Sequence, residues 1–221
     1  MKNIYTLKHP LQQHIITLLS RQEFARFKDL SPIKTDTNVM AYHIKTLLKL
    51  DIIKKQNDVY TISQNGIIYI NNLTKSDTNL PLVKCVVLLQ NSEGDILLTR
   101  QLHQPYINTL SLPMRYVEVE DQSINTTARH IVAEQIGLKG ANIAHVGDAY
   151  VRVKVGEPIS TTLVHVFRVM SDDVAMSTQF TWVQPHKLSA MRLTPGTESI
   201  IARSFFGDAH FFEEYEDTWY S

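Results

Sequence analysis

The stretch that most constrains the fold is residues 112–138, LPMRYVEVEDQSINTTARHIVAEQIGL. It begins as a strand and a polar loop and then becomes helical, because apolar side chains recur at the spacing of a helix. These apolar positions are Ile124, Ala128, Ile131, Val132 and Ile136. Gly137 ends the helix, since a residue without a Cβ readily adopts the left-handed conformation of a helix C-cap. The sequence therefore predicts a strand, a loop and then a helix that stops at this glycine.

This stretch resembles the Nudix box, G-x5-E-x7-R-E-U-x-E-E-x-G-U, in which U is a bulky apolar residue. With Arg115 at the first glycine, the defined positions that follow are occupied in order by Asp121, Arg129, His130, Ile131, Ala133 and Glu134. Gly137 then lies one residue late. Sliding the helix by one residue corrects Gly137 and places Glu134 and Gln135 at the E-E pair, but it puts His130 and Ile131 at R-E. In either register, one of the three helix glutamates remains.

The loss of these glutamates bears on chemistry. In the Nudix family they hold magnesium or manganese at a diphosphate, and hard divalent cations need several carboxylate oxygens before they can activate a water molecule. Met114 and Arg115 also replace the usual glycine pair and so remove backbone freedom from the loop. The resemblance implies a Nudix-like fold whose hydrolase site has decayed. The alternative is an ordinary amphipathic helix after a strand, without kinship.

We therefore expect no catalytic residue and no cofactor, and we lean against an enzyme. Glu134 is the residual catalytic candidate, and magnesium or manganese would be needed only if hydrolase activity remained. The weak metal candidates are Glu120, Asp121 and Glu134.

Length and composition limit the class of protein. A chain of 221 residues with 43% hydrophobic content suits two small domains with real cores. It contains no apolar run long enough to span a membrane, and its first residues lack the apolar core of a signal peptide. The single cysteine, Cys85, cannot form an internal disulfide and lies in an apolar, strand-like run, so we expect a packed core residue. These features predict a cytoplasmic protein without a membrane partner.

The net charge of zero hides an asymmetry. Residues 1–75 hold 11 Lys and Arg against 5 Asp and Glu, whereas residues 76–221 hold 11 against 17. A basic small domain is the electrostatic footprint of a nucleic-acid binder. We expect a DNA-binding domain at 1–75, a polar linker near 73–80, a Nudix-like domain at 80–210 and an acidic, aromatic tail at 211–221.

The first domain shows the element order of a winged helix-turn-helix. The expected elements are a helix at 10–20, a short segment at 24–30, a turn at 31–36, a helix at 37–50, a hairpin at 52–62 and an apolar segment at 63–73. The short segment should point Phe24, Phe27 and Leu30 inward, and the third helix should do so with Val39, Met40, Ile44, Leu47 and Leu48. Asp36 or Thr37 is expected to cap the third helix.

Residues 38–66, NVMAYHIKTLLKLDIIKKQNDVYTISQNG, resemble winged-helix regulators of the ArsR and MarR type. Asp51 stands where that family has glycine, and aspartate tolerates a left-handed turn. In these regulators the third helix enters the major groove of DNA, where Asn and Lys read base edges and Tyr reaches phosphate. The outward positions of this helix are Thr37, Asn38, Ala41, Tyr42 and Lys45, with His43 near the edge, and Lys54, Lys55 and Gln56 lie on the wing.

The second domain is expected to be a mixed sheet between helices. The expected strands are 82–90 and 96–101, with further strand-rich stretches at 141–155 and 160–170. Residues 180–188 resemble the Nudix xxWxxxxxL segment, and a helix at 193–206, which Thr197 would cap, is expected after it. Its ligand-binding candidates are Arg100, Arg115, Glu118 and His130, because guanidinium groups bind phosphate in a bidentate manner. The predicted fold class is thus α+β, a winged helix-turn-helix followed by a Nudix-like α/β/α sandwich.

These expectations favour a homodimeric, ligand-responsive transcriptional regulator that binds double-stranded DNA and senses a nucleotide-type or phosphorylated metabolite. Two alternatives remain open. The first is a Nudix pyrophosphohydrolase with an accessory domain, which convergence of Glu118, Glu120, Asp121 and Glu134 around a metal would favour. The second is a protein-interaction adaptor, which burial of the third helix in a dimer would favour.

Overall fold

The chain divides into two compact units. The computed structural model describes residues 7, 9–32, 35–74, 82–155, 157–174, 178–205 and 209–219. Unit 1 comprises Met1–Asn79 and Leu102–Ile107, and unit 2 comprises Leu80–Gln101 and Asn108–Tyr220. None of the helices in the described ranges is both long enough and apolar enough to cross a membrane. Most of the expected linker lies outside the described residues.

Unit 1 is a winged helix. Its elements are α1 (Pro10–Ser20), β1 (Ala25–Arg26), α2 (Phe27–Leu30), α3 (Thr37–Lys49), β2 (Ile53–Gln56), β3 (Val59–Ile62) and α4 (Gln64–Thr74). The three strands form an antiparallel sheet in the order β1-β3-β2. Asp36 caps α3, because its Oδ1 accepts hydrogen bonds from the backbone N–H groups of Asn38 and Val39. Asp51 has a φ of 52° in the turn after α3, as its expected left-handed position requires.

The core of unit 1 differs from the expectation at two apolar residues. The buried side chains include Ile15, Ile16, Leu19, Leu30, Met40, Ile44, Leu47, Ile53 and Ile67. Phe24 and Val39 are exposed instead. Phe24 lies just before β1 and outside the helical period assumed for its segment. Val39 is the residue before buried Met40, so its side chain is turned by roughly 100° away from the core.

Unit 2 is built on one mixed sheet. Its strands are β4 (Leu82–Gln90), β5 (Ile96–Arg100), β6 (Leu110–Ser111), β7 (Met114–Tyr116), β8 (Ala144–Val155), β9 (Glu157–Met170), β10 (Phe180–Val183) and β11 (Phe211–Thr218). The main order is β10-β5-β4-β9-β8-β11, with β6 paired to β5 and β7 paired to β4. β4 runs parallel to β9 and β11 runs parallel to β8, whereas the other pairs are antiparallel.

Helices cover both faces of this sheet. On one face lies α5 (Ile124–His130), which continues as a π-helix over Ile131–Ile136; we call the two together the box helix. Its buried side chains pack on alternate residues of β4 and β9, among them Cys85 and Phe167. On the other face lies α6 (Thr197–Phe205), where the carbonyl of Ser204 accepts a hydrogen bond from Arg168, the neighbour of Phe167. The predicted fold class is confirmed.

The acidic, aromatic segment expected as a tail packs on the sheet of unit 2 as its edge strand. Residues 211–218 pair with β8 along their whole length and belong to unit 2. Phe211 is buried, while the acidic side chains of this strand are exposed or half-buried. A smaller correction concerns Thr197, which is the first residue of α6, so the capping position is that of Gly196. Of the segment expected as a tail at 211–221, residues 211–218 therefore form a strand of the unit 2 sheet.

Candidate functional site

The exposed face of α3 is the first candidate surface. Asp36 starts the helix, and Met40, Ile44 and Leu47 turn its opposite face into the core. The exposed side chains of this helix that were expected to face DNA are Thr37, Asn38, Ala41, Tyr42 and Lys45, and we call this set the α3 face; Val39 and Lys49 are exposed as well. It carries an amide, a hydroxyl, a phenol and an ammonium group, which are groups that contact base edges and phosphates in DNA-binding helices.

His43 does not belong to the α3 face. It is only 6% exposed, and its ring stacks on that of His9 with 3.8 Å between the ring centroids. Burial, and secondarily the neighbouring His9, lower the pKa of His43, so the imidazole is held neutral. The expectation that His43 contacts DNA is corrected: its side chain packs against the start of α1.

The wing carries the second group of expected DNA-binding residues. Lys54, Lys55 and Gln56 are exposed on β2, and the Lys55 Nζ lies 5.7 Å from the centre of the Tyr60 ring. Next to them is a groove of about 340 Å³, which is lined by Arg26, Phe27, Lys28, Lys55, Asp58 and Tyr60. Three of these six side chains are cationic, so the groove is basic.

Arg26 and Lys28 were not expected at this surface. Arg26 reaches it because β1 pairs with β3, which places Arg26 opposite Val59 at the turn end of the hairpin. A two-residue strand leaves no periodic signal in the sequence, so this pairing is not visible before the fold is known. The charge of residues 26 and 28 was visible, but their position was not.

The box helix contains a π-helical turn, which explains the misfit between the sequence and the Nudix pattern. The Gly137 N–H donates to the carbonyl of Val132, five residues back, and Gly137 takes the left-handed conformation with a φ of 85°. In a π-helical turn each N–H bonds to the carbonyl five residues back instead of four, so the turn contains one extra residue. The pattern therefore fits the first register up to His130 and the second register from Glu134 onward. In this combined register, His130 and Gln135 replace two glutamates and Glu134 remains.

An arginine on β7, Arg115, pairs with two carboxylates of the Nudix-box segment, residues 115–137. Arg115 lies on β7, opposite Cys85 of β4. Its guanidinium group is 3.2 Å from a carboxylate oxygen of Glu118 and 3.5 Å from one of Glu134. Both carboxylates are more than half exposed. The one remaining helix glutamate is thus paired with a positive charge supplied by the same chain.

Asp121 holds together the loop between β7 and the box helix, residues 117–123. Its side chain is almost fully buried and accepts hydrogen bonds from the backbone N–H of Glu118, at 3.0 Å, and from the Thr127 hydroxyl, at 2.9 Å. These hydrogen bonds lower the pKa of Asp121, with a smaller contribution from the charge of Arg115. His130 lies near it, with 3.5 Å between Nδ1 and Oδ1. Asp121 is therefore an ionised carboxylate that holds the loop.

The box does not fit the magnesium or manganese ion that the resemblance implies. Glu118 and Glu134 are engaged by Arg115, Asp121 is engaged by the loop, and Glu120 is exposed. Within the described ranges, no three box side chains bring their donor atoms close enough to share an ion. Hard divalent ions need such a set of oxygens.

Among the described residues, the remaining ligand-binding candidate, Arg100, does not contact the other three candidates, Arg115, Glu118 and His130. Arg100 is exposed at the end of β5 and pairs with Leu110. Its side chain makes no hydrogen bond or ion pair with Arg115, Glu118 or His130 in the part of the chain that the structure describes. The structure thus brings together Arg115, Glu118 and His130 around the box, without Arg100.

A histidine cluster was missed by sequence reasoning. His145 and Asp148 on β8, His165 on β9 and His210 just before β11 converge on the face of the sheet that carries the box helix. Asp148 and His165 looked isolated because 16 residues separate them in sequence. The one signal available was the abundance of histidine, with nine in the chain.

Among the comparisons with known proteins, the search of solved structures gave matches. No protein-family model matches the chain, and no curated protein sequence matches it. Among solved structures, Shewanella oneidensis NrtR is 13% identical over 56% of this chain, with a TM-score of 0.47; the match spans 61% of NrtR, less than two thirds. The NUDIX domain of that protein, solved in complex with ADP ribose, is 14% identical over 62% of this chain and 98% of the domain, with a TM-score of 0.48.

The MutT protein from Bacillus halodurans gives a comparable match, at 14% identity over 61% of this chain and 89% of its own, with a TM-score of 0.48. The chain thus resembles Nudix-domain proteins over about three fifths of its length. These matches are to Nudix-domain proteins, the family that the sequence of residues 112–138 resembles.

Proposed function

We propose that this chain is a ligand-responsive transcriptional regulator. Unit 1 binds double-stranded DNA, and the Nudix-like unit 2 senses a nucleotide-type or phosphorylated metabolite without hydrolysing it. The observation that carries the proposal is the α3 face, a polar helix surface left exposed by a winged helix. The net positive charge of residues 1–75, with 11 basic against 5 acidic residues, adds the electrostatic attraction that DNA binding needs.

The roles within unit 1 follow from chemistry and position. Asn38 and Lys45 are suited to reading base edges, because amide and ammonium groups match the donors and acceptors of the major groove. Tyr42 is 66% exposed and offers its hydroxyl to a phosphate. Lys54 and Lys55 on the wing, with Arg26 and Lys28 in the adjoining groove, are suited to the sugar-phosphate backbone.

The sensing role of unit 2 is assigned to the box. Arg115 has the bidentate geometry that phosphate requires, and the two carboxylates that now hold it are exposed. Exposed ion pairs contribute little free energy, on the order of 0–1 kcal/mol each. A phosphorylated ligand therefore displaces Glu118 and Glu134 from Arg115 at small cost, while His130 offers a further donor.

Regulation requires two copies of the chain. Half-sites on one face of DNA are about one helical turn apart, so a homodimer presents two α3 faces at that spacing. A ligand that binds one arrangement of the dimer more tightly than another shifts the population of the DNA-binding arrangement.

The DNA-binding role is tested by fluorescence anisotropy on a duplex taken from upstream of the chain's own gene. We expect Asn38→Ala to weaken binding by about 1–3 kcal/mol, as for loss of a base contact. Lys45→Ala should weaken it as well. The charge-matched control is Arg21→Ala, because Arg21 is an exposed cation of unit 1 at the end of α1, outside α3 and the wing. Equal affinities for all of these variants and the wild type would contradict the assignment of the α3 face.

The sensing role is tested separately, by thermal denaturation with ADP-ribose, ADP or inorganic phosphate. A ligand that binds the folded chain raises its melting temperature. We expect a nucleotide-type ligand to do so, and Arg115→Ala to remove the effect. The control is Arg129→Ala, since Arg129 is an exposed arginine of the box helix. An unchanged melting temperature with every ligand would refute the sensing role and leave DNA binding untouched.

A further inference from the structure

We propose that unit 2 binds one transition-metal ion of the zinc type at the histidine cluster. The ligands are His145, Asp148 and His165, with His210 as a fourth. This site is separate from the divalent-ion position that the Nudix resemblance implies, and it depends neither on DNA binding nor on a ligand at the box.

The backbone of β8 is shaped for this convergence. On a regular strand, residues three apart point to opposite faces of the sheet. The pairing with β9 steps from His145–Phe167 to Gly147–Val166, so Val146 is an extra residue in a β-bulge. The bulge turns His145 and Asp148 to the same face. Asp148 is then paired directly with His165.

The donor atoms lie at distances that suit a small ion. Asp148 Oδ1 is 2.6 Å from His165 Nδ1 and 3.0 Å from His145 Nε2, and Asp148 Oδ2 is 3.5 Å from His210 Nε2. The donor atoms of His145, Asp148 and His165 all lie within 4.8 Å of one another. Tetrahedral zinc, with bonds of about 2.0–2.1 Å, separates its ligand atoms by about 3.3 Å. An ion therefore fits if the Asp148–His165 pair widens by about 0.7 Å and the widest pair closes by up to about 1.5 Å, which side-chain rotations can supply.

The charges favour a metal over hydrogen bonding alone. A single carboxylate balances one imidazolium at most, yet three imidazoles surround Asp148. A divalent cation uses the lone pairs of neutral imidazoles and the negative charge of the carboxylate together. Imidazole nitrogen with carboxylate oxygen is the donor set of zinc and similar transition ions, whereas magnesium and calcium prefer oxygen donors.

Two packing contacts hold the ligands in place. The His145 ring stacks on Phe167, with 4.8 Å between the ring centroids, and Phe167 is fully buried under the box helix. The absence of a side chain on Gly147 allows the Phe211 ring to lie directly against β8. Phe211 follows His210, so this contact fixes the approach of the fourth ligand.

The site is open on one side. The exposed fraction of the side chain is 15% for His165, 21% for Asp148, 26% for His145 and 49% for His210. His210 is therefore the ligand that exchanges most easily with water. The ion has a path from solvent, and it links β11 to the β8–β9 hairpin.

The experiment uses untagged, full-length protein freed of metal with a chelator and then dialysed against zinc or magnesium. We expect one zinc ion per chain by elemental analysis, a raised melting temperature with zinc, and no effect of magnesium at the same concentration. Asp148→Asn and His165→Gln should each weaken zinc binding by about 10-fold or more, and His210→Gln by less. The matched control is His186→Gln, an exposed histidine of the same unit, which should leave zinc binding unchanged.

A second readout keeps the test decisive if a variant fails to fold. Cobalt substituted into the wild-type protein should give visible absorption bands typical of nitrogen and oxygen ligands, and zinc should abolish them. Three results would overturn the proposal: far less than one zinc per chain, no cobalt bands, or a loss of zinc binding in His186→Gln equal to that in His165→Gln. The last result would identify the bound zinc as adventitious binding to surface histidines.

Discussion

At the scale of single residues, Arg115 changes what the box can do. The Nudix pattern has glycine at this position, whereas Arg115 places there a guanidinium group that pairs with Glu118 and Glu134. His130 and Gln135 remove two further carboxylates. Arg115, His130 and Gln135 are thus the three positions at which the charge of this box departs from the Nudix pattern.

Restoring those three positions should create a manganese site. In a His165→Gln background, which removes the histidine cluster, we expect Arg115→Gly/His130→Glu/Gln135→Glu to bind Mn²⁺ at least about 10-fold more tightly than its parent. Electron paramagnetic resonance of free Mn²⁺ measures this. The control replaces Gln135→Glu by Ala133→Glu, which fits the pattern only without the π-helical turn. Equal gains from both variants would contradict the combined register.

Cys85 illustrates a residue that the fold makes inert. Burial, followed by the charge of Asp121, raises the pKa of the Cys85 thiol to about 12, so the thiolate is absent at neutral pH. We expect no reaction of the folded protein with a thiol reagent at pH 8 and one reacted thiol per chain after unfolding. Rapid labelling of the folded protein would show that the strand β4 opens or that the thiol is accessible.

At the scale of secondary-structure elements, the sequence predicted the features that depend on residues close together in the chain. The helical period, the Asp36 cap and the left-handed Gly137 depend on neighbours in sequence, so α1, α3 and the end of the box helix were predictable. The exposure of residues at the border between the buried and exposed faces of a helix was harder to predict, because a shift of one residue turns a side chain by roughly 100°. That is why His43 was expected outside and Val39 inside.

Pairings between distant strands were beyond reach of the sequence. No residue pattern in the sequence marks the bulge at Val146, because a bulge is defined only by the register between β8 and β9. The parallel pairing of β11 with β8 joins segments more than 50 residues apart. The histidine cluster depends on both, so its members appeared unrelated in the sequence, whereas the α3 face depends on one helix and was predictable apart from His43.

The burial of His43 gives unit 1 a dependence on acidity. Because the folded state lowers the pKa of His43 below the ordinary value of 6.5, its stabilising contribution is full above about pH 6.5 and is lost as the pH falls through the folded pKa. We expect the free energy of unfolding to fall between pH 7 and pH 5, and His43→Leu to reduce this fall. His14→Gln, on the exposed side of α1, is the control in denaturant titrations. An identical pH dependence in His43→Leu would contradict this account.

The contact between Gly147 and Phe211 should be sensitive to a single methyl group. A Cβ at position 147 would overlap the Phe211 ring, so we expect Gly147→Ala to lower the free energy of unfolding by about 1–3 kcal/mol. Phe211→Leu in the same chain should relieve part of this loss, because a smaller side chain leaves room for the methyl. Denaturant titrations of both single variants and the double variant measure the coupling. Strict additivity would show that the two residues do not interact.

At the scale of the whole molecule, the two units carry opposite net charge, and the proposal assigns them different roles. The basic unit presents the α3 face and the wing, and the acidic unit presents the box and the histidine cluster. Because phosphate contacts release counterions, the DNA binding proposed for the basic unit should weaken as the salt concentration increases. Sequence preference must come from the α3 face, since phosphate contacts are the same for every sequence.

The central claim is that the chain recognises specific DNA through unit 1. The most direct test measures the affinity of the full-length protein for DNA upstream of its own gene and for scrambled DNA of equal composition, over a series of salt concentrations. We expect tighter binding to the upstream DNA at every salt concentration and a linear decrease of the logarithm of affinity with the logarithm of salt. Equal, weak affinity for both DNAs across the series would contradict the claim.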